Sequence, residues 1–508
     1  MPSQGIAPPI NLKNLSIDPE VIQKVPARFA CHYKVMPVKF EKDTLTIAME
    51  NPMDVNTLDE IGLFLGLKVE PVIESLTEIS EAIRKYYGLG AETIEEIVCA
   101  GGMEKDLSER KQEAHNIDEM ARDASIIKFV NQMLVQAVKD NATDIHIEPY
   151  EDELRIRYRV DGILYDIPVP RNTEYFKSAI VSRIKIMANL DIAEHRLPQD
   201  GRINIKIAGR AIDLRISILP AQFGESIGIR ILANAMLYDL AGLGLSSGNM
   251  GILEKLIKKP HGIIFVTGPT GSGKTTTLYA CLSRINEKDR KIITIEDPIE
   301  YRLKGVTQIQ VHPKIGLGFA TGLRSMLRHD PDIMMVGEVR DFETLEIAVR
   351  VALTGHLVFS TLHTNDASGG ITRLLDMGIE PYLCASSVEC FIAQRLVRVI
   401  CPDCKFRIDP GAKILKEFGA VDIAGVDILK GRGCESCKFT GYKGRTAIYE
   451  FLIMTDEIKE MVLKRASSAR IKDKALGSGM KTLRMDGWEK IKDGVTTVEE
   501  VIKVTKED

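Results

Sequence analysis

The run Gly268-Pro-Thr-Gly-Ser-Gly-Lys-Thr275 fits the pattern G-x-x-x-x-G-K-[ST], and no other stretch restricts the fold of this chain as tightly. Before it, Gly262-Ile-Ile-Phe-Val-Thr267 reads as a buried strand; after it, the residues from Thr275 through Leu278 to Leu282 read as a helix. A loop between them can turn its backbone N–H groups, and the positive end of the helix dipole, toward phosphate oxygens. Gly268, Gly271 and Gly273 allow the tight wrap, Lys274 is placed to reach the β- and γ-phosphates, and the Thr275 hydroxyl to hold magnesium. Pro269, Thr270, Ser272 and Thr276 complete the expected nucleotide-binding run. A nucleoside triphosphate is the expected ligand.

At 508 residues the chain is too long for one core, so several domains are expected. A formal net charge of -4 gives no global basic field, which disfavours direct binding of nucleic acid. The opening residues Met1-Pro-Ser-Gln-Gly carry no leader pattern, and no apolar run approaches the ~18 residues of a membrane helix. A cytosolic location is expected.

Residues about 20 to 87 mix short strands, such as Thr44-Leu-Thr-Ile-Ala-Met49, with helical stretches and read as a small α+β module. Residues 91 to 122 have the composition of a mobile linker. A helix with apolar residues at Ile127, Val130, Leu134 and Ala137 follows. In Leu154-Arg-Ile-Arg-Tyr-Arg-Val160, Leu154, Ile156, Tyr158 and Val160 share one face and the arginines the other. The same alternation sets Arg215 opposite Leu214 and Ile216, and Arg230 opposite Ile229 and Ile231, so both arginines face away from their core. From about 240 onward strands, glycine-rich turns and helices alternate as in an α/β sheet.

Lys291-Ile-Ile-Thr-Ile295 reads as a strand that delivers Glu296 and Asp297 at its end, where α/β ligands bind. Asp332-Ile-Met-Met-Val336 reads as another buried strand ending in Gly337-Glu338. It resembles a Walker B strand with glycine at the usual magnesium-binding aspartate, which leaves Glu338 to orient the attacking water. After Phe359 a third strand edge is crowded with Ser360, Thr361, His363 and Thr364, hydrogen-bond donors suited to sensing bound phosphate. A metal site at His356 and His363 lacks a paired carboxylate, and two structural histidines remain the alternative.

Of nine cysteines, Cys401-Pro-Asp-Cys404 and Cys434-Glu-Ser-Cys437 form two C-x-x-C pairs. They supply the four thiolates of a structural zinc site; a redox pair is the alternative. Cys31, Cys99, Cys281, Cys384 and Cys390 read as small apolar fillers.

Together with Thr294-Ile-Glu-Asp-Pro-Ile-Glu-Tyr301, Arg328-His-Asp-Pro-Asp through Asp341 and Ser360-Thr-Leu-His-Thr-Asn-Asp-Ala367, the phosphate loop resembles the Walker A, aspartate-box, Walker B and histidine-box set of the secretion ATPase superfamily. Ala142-Thr-Asp-Ile-His-Ile-Glu-Pro149 and the four-cysteine insert, with the ending through Thr496-Thr-Val-Glu-Glu-Val501, are similar to its GspE/PilB branch, the motors of type II secretion and type IV pilus assembly. The resemblance implies an α/β fold: a RecA-like P-loop ATPase core, a PAS-like α+β middle domain, a small α+β N-terminal domain and a zinc insert. The implied boundaries are a partial N-terminal partner-docking domain at 1–90, a flexible linker at 91–122, the middle domain at 123–236, and the ATPase domain at 237–508 with its insert at about 398–445.

The same resemblance implies a homo-hexamer that hydrolyses ATP with magnesium, catalytic roles for Glu338, Glu296 and His363, and arginine fingers at Arg215 and Arg230, with Arg324 and Arg328 as second candidates. Implied partners are an inner-membrane platform protein and a docking protein, which would place the chain peripherally at the inner membrane. Retraction motors usually lack the zinc insert and the extra N-terminal domain, and cyclic-di-GMP control is not expected because the arginine-leucine-glycine signatures are absent before Val25. The competing functions are a DNA-uptake or conjugation traffic ATPase and a nucleotide-binding regulatory module without turnover.

Overall fold

The computed structural model describes residues 10, 12, 15–94, 124–170, 173–207, 209–233, 239–408 and 427–505. The chain divides into two compact units, Met1–Asn234 and Ala235–Asp508. The first begins with α1 (Pro19–Gln23), α2 (Ala27–Tyr33), β1 (Met36–Glu41), β2 (Thr44–Met49), α3 (Val55–Leu65), β3 (Lys68–Ile73) and α4 (Leu76–Tyr87). β1 pairs antiparallel with β2, and β2 parallel with β3 across the α3 crossover. Capping sets the helix ends: Asp54 accepts from the Thr57 N–H, Ser75 from that of Glu78, and Gly66 closes α3 in the left-handed region. Leu45, Ile47, Ile61 and Ile79 form part of this core, each fully buried.

Residues 91–94, the start of the expected linker, are instead packed. Gly88 lies so close to the Val169 and Pro170 backbone that a Cβ there would stand 2.8 Å from the Val169 carbonyl carbon, and the Leu89 N–H donates to Pro168 O at 2.8 Å. Residues 91–94 are helical, and Leu89 and Ile94 pack into the next core, so burial holds this stretch. The remainder of the linker, 95–122, lies outside the described residues.

The rest of this unit holds α5 (Ala124–Lys139), β4 (Ala142–Pro149), β5 (Leu154–Val160), β6 (Ile163–Ile167), α6 (Lys177–Ala188), β7 (Gln199–Ile207), β8 (Arg210–Ala221) and β9 (Gly224–Ala233). The strands form an antiparallel sheet in the order β6-β5-β4-β9-β8-β7. One face buries Ile145, Ile147, Tyr158, Leu214 and Ile216 against Phe129, Val130 and Met133 of α5 and Ile180 and Ile184 of α6. The Tyr158 hydroxyl, inside that core, donates to Met133 O at 2.7 Å. Of the expected α5 stripe, Val130, Leu134 and Ala137 are buried and Ile127 is half-buried; the buried face is wider than expected and takes in Ile126, Phe129 and Met133.

The second unit comprises α7 (Ser247–Leu256), β10 (Gly262–Thr267), α8 (Lys274–Ile285), β11 (Ile292–Glu296), β12 (Thr307–Gln310), α9 (Phe319–Met326), β13 (Ile333–Val336), α10 (Phe342–Leu353), β14 (Leu357–Leu362), α11 (Ala367–Asp376), α12 (Pro381–Ser387) and β15 (Val388–Ile400). It continues through β16 (Lys405–Ile408), β17 (Ile428–Gly431), β18 (Tyr442–Ile453), α13 (Asp456–Leu463), α14 (Ser468–Gly477), α15 (Leu483–Lys492) and α16 (Val498–Val504). Its main sheet runs β12-β11-β13-β14-β10-β15-β18, parallel except for β18. Every residue of β10, β11, β13 and β14 is buried, as a parallel sheet covered on both faces requires. Two hydrophobic layers, one around Ile263, Phe265 and Phe391 and one around Ile264, Val266 and Phe359, cover the sheet. The carboxyl ends of β10, β11, β13 and β14 therefore open onto one edge.

Candidate active site

At that edge the loop after β10 runs into α8. Gly268 has φ 148°, and a Cβ there would stand 2.6 Å from Gln394 O; Gly273 has φ 88°, and its Cβ would meet Gln394 Nε2 at 2.8 Å. Both positions exclude side chains by conformation and by space. Gly273 caps α8 without a side-chain acceptor, which leaves the first-turn N–H groups to an anion. Lys274 Nζ meanwhile donates to Gly268 O at 2.7 Å and Pro269 O at 3.0 Å. Burial lowers its pKa to about 8; Glu338 opposes the shift and Arg395 adds to it. A triphosphate would supply the counter-charge that this ammonium lacks.

Gly337 and Glu338 follow β13. The Gly337 N–H donates to Ile295 O at 2.8 Å, and its carbonyl accepts from the Thr361 hydroxyl at 2.7 Å. A Cβ at 337 would stand 3.3 Å from both Glu296 Cα and Ile295 O, so the strand end is drawn against β11 more closely than an aspartate permits with ease. The Glu338 side chain, 13% exposed, pairs with Arg340, and its Oε2 lies 3.5 Å from His363 Nε2. Arg340 also lies within the field of Asp297. The lysine, Glu338, Arg340, His363 and Asp297 thus form one electrostatic cluster at the sheet edge.

Two expectations change. Glu296 is a buried carboxylate that accepts from the Tyr279 hydroxyl, from Thr294 Oγ1 at 2.6 Å and from Gln308 Nε2 at 3.1 Å, because its side chain turns into the sheet; Asp297 is the exposed acid of that strand end. Glu296 therefore holds the end of β11 in place and does not reach water. The hydroxyls expected to sense phosphate are spent on backbone: Ser360 donates to Val336 O, Thr361 to Gly337 O and Thr364 to Asp366 O. They tie β14 to β13 and close the turn into α11. His363 alone of that group meets the cluster, while His356, at the other end of β14, has Nδ1 3.1 Å from Val351 O.

Sequence reasoning missed Gln394 and Arg395. Thr267 lies opposite Ala393, so β15 runs past the end of β10 and sets the next two residues beside the loop. Gln394 Oε1 accepts from Thr277 Oγ1 at 2.8 Å, and the buried Arg395 donates to Asn365 O at 2.7 Å, joining the phosphate loop to the turn after His363. A polar Gln-Arg pair directly after the apolar run Cys390-Phe-Ile-Ala393 was the signal available. Arg324 pairs with Glu343, and Arg328 donates to Arg324 O and Ser325.

Beyond the sheet edge, the sulfurs of Cys401, Cys404, Cys434 and Cys437 lie within 4.8 Å of one another, with pairs at 3.7, 3.8 and 3.9 Å. A tetrahedron of Zn–S bonds of ~2.3 Å has edges of ~3.8 Å, so the donor set fits zinc with no fifth position. Burial works against the Cys437 thiolate, yet the N–H groups of Cys434 and Gly441, 3.1 and 3.3 Å from its sulfur, bring the pKa down to about 7. Residues 409–426 of the expected insert lie outside the described residues. Cys281, Cys384 and Cys390 are buried as fillers, Cys31 is half-buried, and Cys99 is outside the described residues. In the first unit, Arg215 is half-buried and Arg230 exposed, both on the face away from the core.

A parallel sheet with a phosphate loop after β10, a carboxylate at the end of β13, one strand removed, and a histidine after the intervening β14 defines a RecA-like P-loop ATPase. The sequence profile described as Type II/IV secretion system protein matches residues 119–503, and the chain belongs to that family. The profile described as MshEN domain matches residues 6–93. The type IV pilus assembly ATPase PilB of Myxococcus xanthus is 45% identical over 99% of this chain and 89% of its own length. The type II secretion system ATPase E of Vibrio cholerae is 42% identical over 96% of this chain and 97% of its own. Among solved structures, the pilus retraction motor PilT with bound ADP superposes with a TM-score of 0.52 at 26% identity, covering 74% of this chain and 96% of PilT.

Proposed function

We propose that the chain is the motor ATPase of a pseudopilus or pilus assembly machine, working as a homo-hexamer in which hydrolysis of ATP moves one domain against another. The observation that carries this reading is the cluster of Lys274, Glu338, Arg340 and His363 at the sheet edge, in a chain that matches its family from 119 to 503. Lys274 would exchange two backbone carbonyls for the β- and γ-phosphates, and the Thr275 hydroxyl would hold magnesium, which would supply charge neutralisation on the transferred group. Glu338 orients the attacking water, and Glu296 fixes the strand end beside it. Arg215 and Arg230 reach the phosphates from the middle domain as arginine fingers. The four-cysteine site binds zinc and pins the insert.

Support for a membrane machine comes from the two relatives named for type II secretion and type IV pilus assembly. No described helix is long and apolar enough to cross a membrane. By likeness to those relatives, attachment runs through an inner-membrane platform protein and a docking protein, from the cytoplasmic side. In the purified chain, Glu338→Gln is expected to bind ATP with unchanged affinity while hydrolysis falls ~10²-fold or more. Hydrolysis at the parental rate refutes the role of Glu338, and a parental chain without turnover makes this a binding module.

A further inference from the structure

Five side chains stand in one row across the sheet of the first unit. In strand register, Arg159 of β5 faces Asp144 of β4, Asp144 faces Arg230 of β9, Arg230 faces Arg215 of β8, and Arg215 faces Arg202 of β7. The row lies on the face away from the core, because Ile145, Ile203, Leu214, Ile216, Ile229 and Ile231, which flank it along the strands, are buried. Like charges directly opposite each other destabilise an antiparallel pair. Here arginine faces arginine at two successive crossings, and Asp144 is the single acid of the row.

We propose that Asp144 is the positioning residue of this row, holding Arg230 ready for a phosphate, and that Arg202 is a further phosphate-contacting cation beside Arg215 and Arg230. The inference rests on the reading above that these arginines reach the nucleotide. Asp144 Oδ1 accepts from Arg230 Nε at 3.1 Å, while its Oδ2 accepts from Thr143 Oγ1 at 2.8 Å and lies 4.0 Å from Arg159 Nε. The acid is 17% exposed and the arginine 62%, so the grip is at the base and the tip is open. Engagement through Nε leaves the terminal Nη groups of Arg230 without a partner among the described residues. Those groups can then donate as a fork to two oxygens of one phosphate, and a guanidinium already fixed at Nε loses less rotamer freedom on doing so.

The neighbours on the same face sharpen the contrast. Arg155 pairs with Glu153 and Arg157 with Glu148, each at its terminal nitrogen, so their forks are already engaged. Arg202 is exposed and has no ion pair among the described residues. It sits directly opposite Arg215 in strand register, so an anion placed between the two would accept from both guanidinium groups.

A double-mutant cycle on ATP hydrolysis by the full chain tests the assignment. Arg230→Ala is expected to lower kcat ~10²-fold or more. Asp144→Asn is expected to lower kcat ~10-fold with KM for ATP within about twofold, with partial rescue by Asp144→Glu. In the Arg230→Ala background Asp144→Asn should have no further effect. A full additional loss there overturns the positioning role, and a general folding defect would show itself in the same way. A parental kcat for Arg230→Ala instead refutes the arginine-finger reading on which the inference rests. Arg202→Ala should lower kcat ~10-fold while Arg155→Ala leaves it unchanged; equal rates for the two overturn the role of Arg202.

Discussion

Replacing Tyr279 by phenylalanine removes one oxygen from beside a buried carboxylate and leaves the ring where it is. Tyr279 is fully buried, its ring meets Tyr301 edge-on at 4.5 Å, and burial together with Glu296 raises its hydroxyl pKa, so it stays a donor at working pH. The substitution opens no cavity of consequence; with the bond to Glu296 it removes only the acceptor of two longer contacts, from the Glu300 N–H and Gln308 Nε2, both at 3.4 Å. Glu296 keeps Thr294 and Gln308 but loses its third donor. A hydrogen bond to a charged group contributes ~1.5–3 kcal/mol, so the loss is set at ~2 kcal/mol. For a unit of this size each kcal/mol moves the melting temperature by ~2–4 °C, giving a fall of ~4–8 °C. The single tryptophan, Trp488, lies on α15 of the same unit, so its fluorescence follows the relevant transition. In a Glu296→Gln background the same substitution should cost ~1 kcal/mol or less, because the acceptor is neutral. A Tyr279→Phe melt within ~1 °C of the parent, or an equal cost in both backgrounds, refutes the account of Glu296 as a structural anchor.

Lys274 gives a pH dependence. Its free-chain pKa is depressed to about 8 and bound phosphate raises it, so ATP affinity should be flat below about pH 8 and fall up to tenfold per unit above it. Titration with a fluorescent nucleotide checks this, and affinity constant through pH ~9.5 contradicts it. The purified chain should carry close to one zinc, and Cys437→Ser or a strong chelator should remove it and lower the melting temperature while nucleotide binding persists. Metal analysis showing none would sink the four-thiolate assignment. Arg395→Ala should lower kcat/KM for ATP at least ~10-fold by releasing the turn after His363 from the phosphate loop; an unchanged value argues against that link.

The phosphate loop and the two C-x-x-C pairs were legible because their chemistry is written in contiguous residues at fixed spacing. Strand alternation likewise placed Arg215 and Arg230 on the polar face, since a period of two leaves no other choice once Leu214 and Ile229 are buried. Side-chain direction at strand ends was not legible. Whether Glu296 turns inward and Thr361 toward Gly337 depends on which strands lie beside them, and β11 and β14 flank β13 only through crossovers. Gln394 escaped for the same reason: its meaning lies in how far β15 overruns β10, a non-local property. The Ile127 error was smaller: Val130, Leu134 and Ala137 are buried as expected, and periodicity alone does not say which of Ile126 and Ile127 joins them.

β15 passes Gln394 and Arg395 at the phosphate loop and ends at Ile400, one residue before Cys401 of the thiolate cluster. At ~3.3 Å per residue the span from the one to the other is ~23 Å, close to the full reach of the backbone. The strand's pairing with β18 braces that length except at a register shift between Arg398 and Ile400. The phosphate loop and the thiolate cluster therefore hang on one strand, and any coupling between them passes through that shift.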